Sequence, residues 1–179
     1  WGLDPDHLEE LVKTHDPGSV ILVHVQGMPC QMDRILELQS KYGFVLMEDC
    51  CGAHGSKFDD NLVGTMGDAS TFSFYFGHHI STIEGGMVCT NDEQLADLFL
   101  HIRSHGWARE LAPEKAESLA QEWGVIDFNR PFTFYYPGFN LRTTDLNARI
   151  GLSQMAKLDQ VVETRVKNHK AYQDNLESV

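Results

Sequence analysis

The chain has 179 residues, of which 42% are apolar and 22% charged, as is usual for a soluble globular protein. Its 26 acidic residues against 14 basic ones give a formal net charge of -12, which argues against nucleic acids and anionic membranes as partners because a basic patch cannot form easily. No apolar run approaches the length of a membrane span, and we expect a cytoplasmic protein.

The first part of the chain alternates helical and apolar patterns. The predicted elements are a helix over residues 4–14, a strand over Val20–Val25, a helix over Met32–Tyr42 and a strand over Phe44–Met47. Asp16-Pro17-Gly18 ends the first helix, and Gly43 ends the second. Both strands are continuously apolar, as buried parallel strands are. This order of elements predicts a parallel α/β sheet.

The remainder of the chain is predicted to continue this architecture. Strands are expected over Ser70–Phe76 and Gly86–Thr90, and helices over Glu93–Arg103, Glu114–Trp123, Thr144–Leu158 and Val161–Leu176. Residues 107–137 are the least regular part. The expected fold class is therefore α/β, with a mixed, mostly parallel sheet flanked by helices.

The cysteines do not form a recognisable ligand pattern. They are Cys30, Cys50, Cys51 and Cys89, and no pair has the CxxC spacing. We therefore expect neither a disulfide framework nor a zinc site, and no metal at all. Reduced, half-buried thiols in a cytoplasmic protein are the favoured interpretation.

Asp49 is the first candidate for a chemical role. It follows an apolar strand directly, and open α/β sheets bind ligands outside the carboxyl ends of their strands. A carboxylate there can pair with the cationic ring nitrogen of a pyridine, which keeps that ring protonated and able to accept electrons. A helix cap or a solvated loop residue is the structural alternative.

The run from Thr71 to Gly86 supplies two further candidates. The Ser73 hydroxyl, at a strand end, can donate a hydrogen bond to a phosphate. His78 follows five residues later, in a turn that begins with Gly77 and can direct the imidazole into the same crevice. Taken alone, the adjacent His78 and His79 are more typical of a surface or core coincidence than of a site.

A series of short motifs gives these residues a context. In chain order they are Glu48-Asp49, Ala53-His54-Gly55, Val63-Gly64-Thr65, Gly67-Asp68, Phe72-Ser73-Phe74, Glu84-Gly85-Gly86, His105-Gly106 and Gly138-Phe139-Asn140-Leu141-Arg142. With these motifs the chain resembles the DegT-type sugar aminotransferases over nearly its whole length. The resemblance implies the large domain of the type I fold of pyridoxal-phosphate enzymes, and a homodimer whose active sites lie at the subunit interface.

The resemblance also implies a role for particular residues. Asp49 would pair with the pyridine nitrogen, Ser73 would hold the cofactor phosphate, and Asn140 would reach the phosphate of the neighbouring subunit's cofactor. The lysine that holds the cofactor covalently in most relatives stands six residues before the Glu of the Glu-Gly-Gly turn, where this chain has His78. Gly52 is a second departure, since most relatives have a glutamine there, near the cofactor ring.

The replacement of lysine by histidine changes the expected reaction. Imidazole cannot hold the cofactor covalently, but its ordinary pKa near 6.5 suits a general base at neutral pH. In the branch of the family that shares this histidine, the pyridoxamine 5'-phosphate form removes a sugar hydroxyl. We expect 3-dehydration of a nucleotide-linked 4-keto-6-deoxy sugar, namely GDP-4-keto-6-deoxymannose, with glutamate as the amino donor and catalytic His78 as the base.

Three alternatives remain open on the sequence alone. The first is an iron–sulfur CDP-4-keto-6-deoxyglucose 3-dehydratase, although residues 106–179 contain no cysteine to ligate a cluster. The second is a sugar aminotransferase that works without a covalent lysine. The third is a non-catalytic homologue that binds a sugar nucleotide, which the retained Asp49, Ser73 and Asn140 disfavour.

Other residues receive weaker interpretations. His24 is expected to be a packed core histidine within a strand, His54 to be structural, and His105 to interact with a helix C-terminus. The aromatic residues of the irregular part are candidates to line a sugar-nucleotide pocket or a dimer face: Phe132, Phe134, Tyr135 and Tyr136.

Residues 1–160 are expected to form part of the cofactor-binding large domain, and residues 161–179 a helix leading toward a small domain. Because the chain begins at Trp1, we expect a fragment of a longer protein.

Overall fold

The computed structural model describes residues 2–176. Its α-helices are α1 (Pro5–His15), α2 (Met32–Tyr42), α3 (Glu93–Arg103), α4 (Pro113–Glu122), α5 (Asp145–Met155) and α6 (Leu158–Leu176). Its strands are β1 (Ser19–Val23), β2 (Val45–Asp49), β3 (Lys57–Phe58), β4 (Asn61–Leu62), β5 (Ala69–Ser73) and β6 (Gly86–Cys89). The predicted alternation of strands and helices is confirmed.

The helix ends follow from local chemistry. Asp4 caps α1, because its carboxylate accepts hydrogen bonds from the backbone N–H groups of Asp6 and His7. Gly43 ends α2 in the left-handed conformation, with φ +76°, and its N–H donates to the Gln39 carbonyl. The bounds predicted for α2 and α3 are therefore the observed ones.

Four strands form the main sheet in the order β1-β2-β5-β6. The strands β1, β2 and β5 are parallel, and β6 pairs antiparallel with β5. The mixed, mostly parallel sheet predicted from the sequence is confirmed. The short strands β3 and β4 form a separate hairpin between β2 and β5 in the chain.

Two strands are shorter than their apolar runs predict. The strand β1 ends at Val23, so His24 follows the strand instead of lying within it. The strand β5 ends at Ser73, because the Phe74 carbonyl accepts a hydrogen bond from the Thr82 N–H of the following turn. In both cases the aromatic or β-branched pattern continues beyond the last ladder pair.

The core lies on one face of the sheet. The helices α1 and α2 cover that face, and the buried cluster joins Leu8 and Val12 of α1 to Ile35 of α2 and Leu22 and Leu46 of the strands. On the opposite face Ile21 is 64% exposed and Val23 46% exposed. The prediction of a fully buried first strand is therefore wrong for this chain, because β1 lies at an edge of the described sheet and is covered on one side.

The cysteines also differ in part from their predicted state. Cys30 and Cys50 are fully buried, whereas Cys51 and Cys89 are half-buried as predicted. Burial, together with the nearby carboxylates of Glu48 and Asp49, raises the pKa of the Cys50 thiol to about 12. Cys50 is therefore a protonated, apolar core residue at neutral pH.

The chain divides into two compact units. The first contains the residues up to Cys89 together with the chain from Asp145 onward, and the second is Thr90–Thr144. The main sheet belongs to the first unit. The predicted boundary between residues 160 and 161 separates the large domain from a helix that leads toward a small domain. It stays a prediction. Within residues 2–176, no helix combines the length and the apolar character that crossing a membrane requires.

Gly106 makes close backbone contacts within the second unit. It has φ +74°, its N–H donates to the His101 carbonyl at 2.8 Å, and its carbonyl accepts from the Tyr135 N–H at 3.0 Å. A Cβ atom at this position would collide with the backbone carbonyl of Tyr136. No other residue type satisfies both the left-handed conformation and this close approach.

We expect Gly106→Ala to lower the free energy of unfolding by about 2–3 kcal/mol, the sum of the left-handed strain and the backbone collision. Gly43→Ala is the matched control, since Gly43 has the same sign of φ but has no atom within 4 Å of the added Cβ. Gly43→Ala should lower the free energy of unfolding by about 1 kcal/mol. Urea denaturation followed by circular dichroism measures both values, and equal losses would contradict the steric part of the argument.

Candidate active site

The carboxyl ends of β2 and β5 bring two predicted site residues to one edge of the sheet. Asp49 is the last residue of β2, and Ser73 is the last residue of β5. Asp49 pairs in register with Thr71, so Ser73 lies two residues, roughly 7 Å, further along the adjacent strand. The prediction that both stand at strand ends is confirmed, and parallel pairing places both ends at the same edge.

Two backbone N–H groups hold Asp49 in place. Its Oδ1 accepts a hydrogen bond from the Cys51 N–H at 2.9 Å, and its carbonyl accepts from the His24 N–H at 3.1 Å. Burial raises the pKa of the Cys51 thiol, and the adjacent Asp49 carboxylate raises it further. The half-buried carboxylate therefore lies beside a protonated thiol, where it can act as the acceptor for a cationic group.

The turn after β5 holds Ser73 and His78. The Ser73 Oγ accepts a hydrogen bond from the Tyr75 N–H at 3.3 Å, which leaves the hydroxyl proton able to donate to a ligand. The His78 N–H donates to the Tyr75 carbonyl at 3.1 Å, and the His78 ring meets the Tyr75 ring edge-on with centroids 5.9 Å apart. This turn carries the imidazole, half-buried, from the end of β5 toward the loop that follows β2.

That loop contributes His54, which the sequence indicated as structural. Its ring is 5% exposed and lies 6.5 Å from the His78 ring and 5.3 Å from the His79 ring, measured between centroids. Phe72 and Phe74 of the β5 region pack on the same imidazole. His54, five positions after Asp49, thus packs against the end of β5 and the turn that carries His78, a position that no spacing in the sequence indicates.

Glu48 and His24 form a buried, hydrogen-bonded pair next to this edge of the sheet. Glu48 is fully buried, and its Oε1 accepts hydrogen bonds from the N–H groups of Met66 and Gly67 at 2.8 and 2.6 Å. Its Oε2 accepts from the Gly64 N–H at 2.6 Å and lies 3.0 Å from Nε2 of His24.

The contacts of His24 define its tautomer. The Cys30 N–H donates to Nδ1 at 3.1 Å, so that nitrogen carries a lone pair and Nε2 carries the proton that is donated to Glu48. Burial alone would raise the pKa of Glu48, but the His24 hydrogen bond and the three backbone donors outweigh it and lower the pKa below the usual value. His24 is a packed core histidine, as predicted, whereas sequence reasoning assigned no role to Glu48.

Gly52 has room for a side chain. A Cβ atom there would meet the Gln26 nitrogen at 3.9 Å, an ordinary van der Waals distance. Steric crowding therefore does not explain why this chain has glycine where a glutamine was expected. The missing side chain leaves space beside Asp49 at the strand end.

Asn140 belongs to the second compact unit. It forms an isolated antiparallel bridge with Ser104, and its Oδ1 accepts from the Arg142 guanidinium at 3.5 Å. Of the predicted aromatic residues, Phe132 and Phe134 are exposed and Tyr135 is buried against His101. His105 lies just after α3 and has φ +65°. The roles predicted for these residues stay predictions.

Comparison with known proteins identifies related chains. The family model described as "DegT/DnrJ/EryC1/StrS aminotransferase family" matches residues 1–179. The GDP-4-keto-6-deoxy-D-mannose 3-dehydratase of Yersinia pseudotuberculosis is 34% identical over 172 residues, which cover 96% of this chain and 43% of that protein. The GDP-perosamine synthase of Escherichia coli O157:H7 is 33% identical over 179 residues, covering 100% and 44%.

Two solved structures are similar throughout. A variant GDP-4-keto-6-deoxymannose 3-dehydratase with bound GDP-perosamine has a TM-score of 0.86 at 31% identity, covering 99% of this chain and 45% of that one. The Escherichia coli GDP-4-keto-6-deoxy-D-mannose 3-dehydratase with bound hydrated pyridoxal phosphate has a TM-score of 0.83 at 30% identity, covering 98% and 44%. The predicted type I fold is confirmed. This chain spans less than half the length of the relatives that it matches.

Proposed function

This chain belongs to the DegT/DnrJ/EryC1/StrS aminotransferase family, and on that premise we propose that the full-length protein is a nucleotide-sugar 3-dehydratase. Its substrate would be GDP-4-keto-6-deoxymannose, its cofactor pyridoxal 5'-phosphate in the pyridoxamine form, and its amino donor glutamate. The observation that carries the proposal is His78, which replaces the family's lysine in a site that keeps Asp49 and Ser73 at adjacent strand ends.

The residues present match the chemistry of this cofactor. The Asp49 carboxylate would accept a hydrogen bond from the protonated pyridine nitrogen, and the Ser73 hydroxyl would donate to the phosphate. When bound, the cofactor supplies a primary amine for the keto group and a protonated ring that withdraws electrons. The anionic Asp49 keeps that ring protonated, because an adjacent negative charge favours the charged form of a base.

His78 would move the proton in this reaction. One of its ring nitrogens would take up the proton that the reaction removes beside the cofactor amine, while Asp49 would hold the electron-withdrawing ring. The protonated His78 could return that proton to the C3 hydroxyl of the sugar, which would leave as water. A lysine at position 78 could form a Schiff base with the aldehyde form of the cofactor, whereas an imidazole cannot, so the cofactor would be held without a covalent bond.

The relatives support the same substrate class. Two of them are named as 3-dehydratases acting on GDP-4-keto-6-deoxy-D-mannose, at 34% identity each. A structure of that enzyme with a trapped PLP-glutamate geminal diamine supports glutamate as the amino donor. The GDP-perosamine synthases are the aminotransferase alternative, and the His78 replacement weighs against it for this chain.

We extend the proposal to the assembly. The full-length protein would be a homodimer in which Asn140 reaches the phosphate of the cofactor in the neighbouring subunit. Residues 1–160 would form part of the cofactor-binding large domain, and the helix from residue 161 would lead toward a small domain. The exposed apolar face at Ile21 and Val23 is consistent with a chain that is covered by other parts of a larger molecule.

Product mass tests the proposed reaction. We expect the full-length protein, supplied with glutamate, cofactor and GDP-4-keto-6-deoxymannose, to yield a sugar that has lost one oxygen atom. Omission of glutamate should limit the yield to about one product per cofactor-loaded site. A product that has gained an amino group would overturn the proposal and establish an aminotransferase.

A further inference from the structure

His54 is buried without the hydrogen bonds that a buried imidazole requires. Its side chain is 5% exposed, and neither Nδ1 nor Nε2 has a hydrogen-bond partner among residues 2–176. Buried polar atoms in native proteins are nearly always paired with protein or ordered water, and each exception needs an explanation. Two unpaired nitrogens on one ring indicate that His54 bonds to something other than the side chains around it.

The surroundings of His54 restrict where such a partner can lie. Phe72 and Phe74 offer apolar contacts on part of the ring. His78 and His79 occupy another side, with ring centroids at 6.5 and 5.3 Å. The Nδ1 atom of His79 is also buried and unpaired within the described chain. Buried, unpaired nitrogens thus occur on two neighbouring rings, His54 and His79, and the His78 ring lies within 6.5 Å of the His54 ring, measured between centroids.

The separation from His78 matches one bridging molecule. A centroid distance of 6.5 Å is too long for a direct hydrogen bond between two rings. One water molecule can span it, since each of its hydrogen bonds is about 2.8–3 Å long. A buried water typically has two to four polar partners, which the ring nitrogens of this cluster can supply.

Burial keeps the two neighbours of His78 neutral. Burial lowers the pKa of His54, and the neighbouring His78 lowers it further. Burial also lowers the pKa of His79 to about 4, with further contributions from Arg165 of α6, His54 and His78. His54 and His79 are therefore neutral at physiological pH, and a neutral imidazole can accept a hydrogen bond as well as donate one.

We propose that His54 is a positioning residue for His78, which it holds in place through a hydrogen bond relayed by one ordered water. The inference rests on the proposed function, because it gives His78 the role of general base. His54 would orient the His78 ring and accept the hydrogen bond of its protonated form. It would not itself touch the substrate or the cofactor.

The test follows the titration of His78 in the full-length protein. Histidine labelled with ¹³C at Cε1 gives one NMR signal per ring, and the His78→Asn variant identifies the His78 signal by its loss. In His54→Phe the protonated His78 loses its relayed acceptor, so its pKa should fall by about half a unit or more. The kcat of the dehydratase should fall by roughly 10- to 100-fold with little change in KM.

Two comparisons separate positioning from packing. His54→Gln keeps a hydrogen-bond donor and an acceptor. Compared with His54→Phe, it should therefore restore most of the original His78 titration curve and most of kcat. His101→Phe is the matched control, since His101 is also buried with an unpaired Nε2 within residues 2–176 but lies in the second unit. It should leave the His78 pKa unchanged even if it lowers Tm.

An unchanged His78 titration in His54→Phe, or a shift equal to that in His101→Phe, would overturn the inference. The NMR titration does not depend on which reaction the enzyme catalyses. If product mass contradicts the dehydratase while the titration shifts as expected, the proposed function fails and the coupling of His54 to His78 stands.

Discussion

Replacement of His78 by asparagine is expected to reduce turnover of the full-length protein by roughly 10²- to 10⁴-fold, the usual contribution of a general base. Asparagine has nearly the size of histidine and can form hydrogen bonds, but it cannot take up a proton near neutral pH. Asp49 and Ser73 are unchanged in this variant, so cofactor binding should remain within a few-fold of the original. Single-turnover kinetics and cofactor titration measure the two quantities separately.

His78→Lys is the informative companion variant. A lysine at this position can react with the aldehyde form of the cofactor, so borohydride reduction should attach the cofactor covalently and add its mass to the protein. The original chain should gain no such mass, because an imidazole does not form that bond. Full dehydratase activity in His78→Asn would remove His78 from the mechanism, whatever the outcome with lysine.

Glu48→Leu is expected to lower the free energy of unfolding by about 3–5 kcal/mol. The leucine removes the acceptor of three backbone N–H groups in the loop of Gly64, Met66 and Gly67, as well as the partner of His24. Buried donors that lose their acceptor retain the full cost of desolvation. Because the loop precedes β5, a loosened Gly64–Gly67 segment should also weaken cofactor binding at Ser73.

Glu48→Gln and Glu37→Gln serve as the comparisons. The glutamine at position 48 keeps one oxygen but directs an amide NH₂ toward backbone donors, so it should destabilise the fold by about 1–3 kcal/mol. Glu37 is exposed and lies 3.8 Å from Arg34, so its substitution should change stability by less than about 0.5 kcal/mol. Urea denaturation of the three variants provides the values, and similar losses at positions 48 and 37 would refute the role assigned to the buried carboxylate.

The pH dependence of stability gives an independent readout of Glu48. Its pKa is lowered in the folded chain, from a usual value of 4.5. A carboxyl with a lowered folded pKa stabilises the protein fully above its unfolded pKa, and that stabilisation is lost as the pH falls through the folded pKa. The stability difference between the original chain and Glu48→Gln should therefore shrink as the pH falls below about 4.5.

Much of the local structure could be predicted from the sequence. The bounds of α2 were predictable because an amphipathic period ends at Gly43, which alone carries the positive φ of the helix terminus at no steric cost. The placement of Asp49 and Ser73 was predictable for a related reason, since each follows an apolar run and parallel strands bring their carboxyl ends to one edge. The interpretation of His78 as the replacement for the family's lysine comes from its spacing to the Glu84-Gly85-Gly86 turn, and it stays a prediction.

The ends of the strands needed the tertiary structure. An apolar run shows which residues avoid water, but a strand continues only while a neighbouring strand offers hydrogen bonds. Phe74 keeps the aromatic pattern of β5, yet its carbonyl accepts a hydrogen bond from the Thr82 N–H in the turn. Likewise the apolar pattern of Val20–Val25 could not reveal that Ile21 faces outward, because exposure depends on which face the helices cover.

The sequence by itself determined the family motifs, the α/β order and the presence of a histidine at position 78, because these depend on residue type and short spacing. The tertiary structure alone decided which side chains surround that histidine. His54 reaches His78 across 24 positions, and Glu48 binds the Gly64–Gly67 loop across 16 to 19 positions. Such contacts form where separate loops converge on a sheet edge, and no local pattern records which buried atoms meet there.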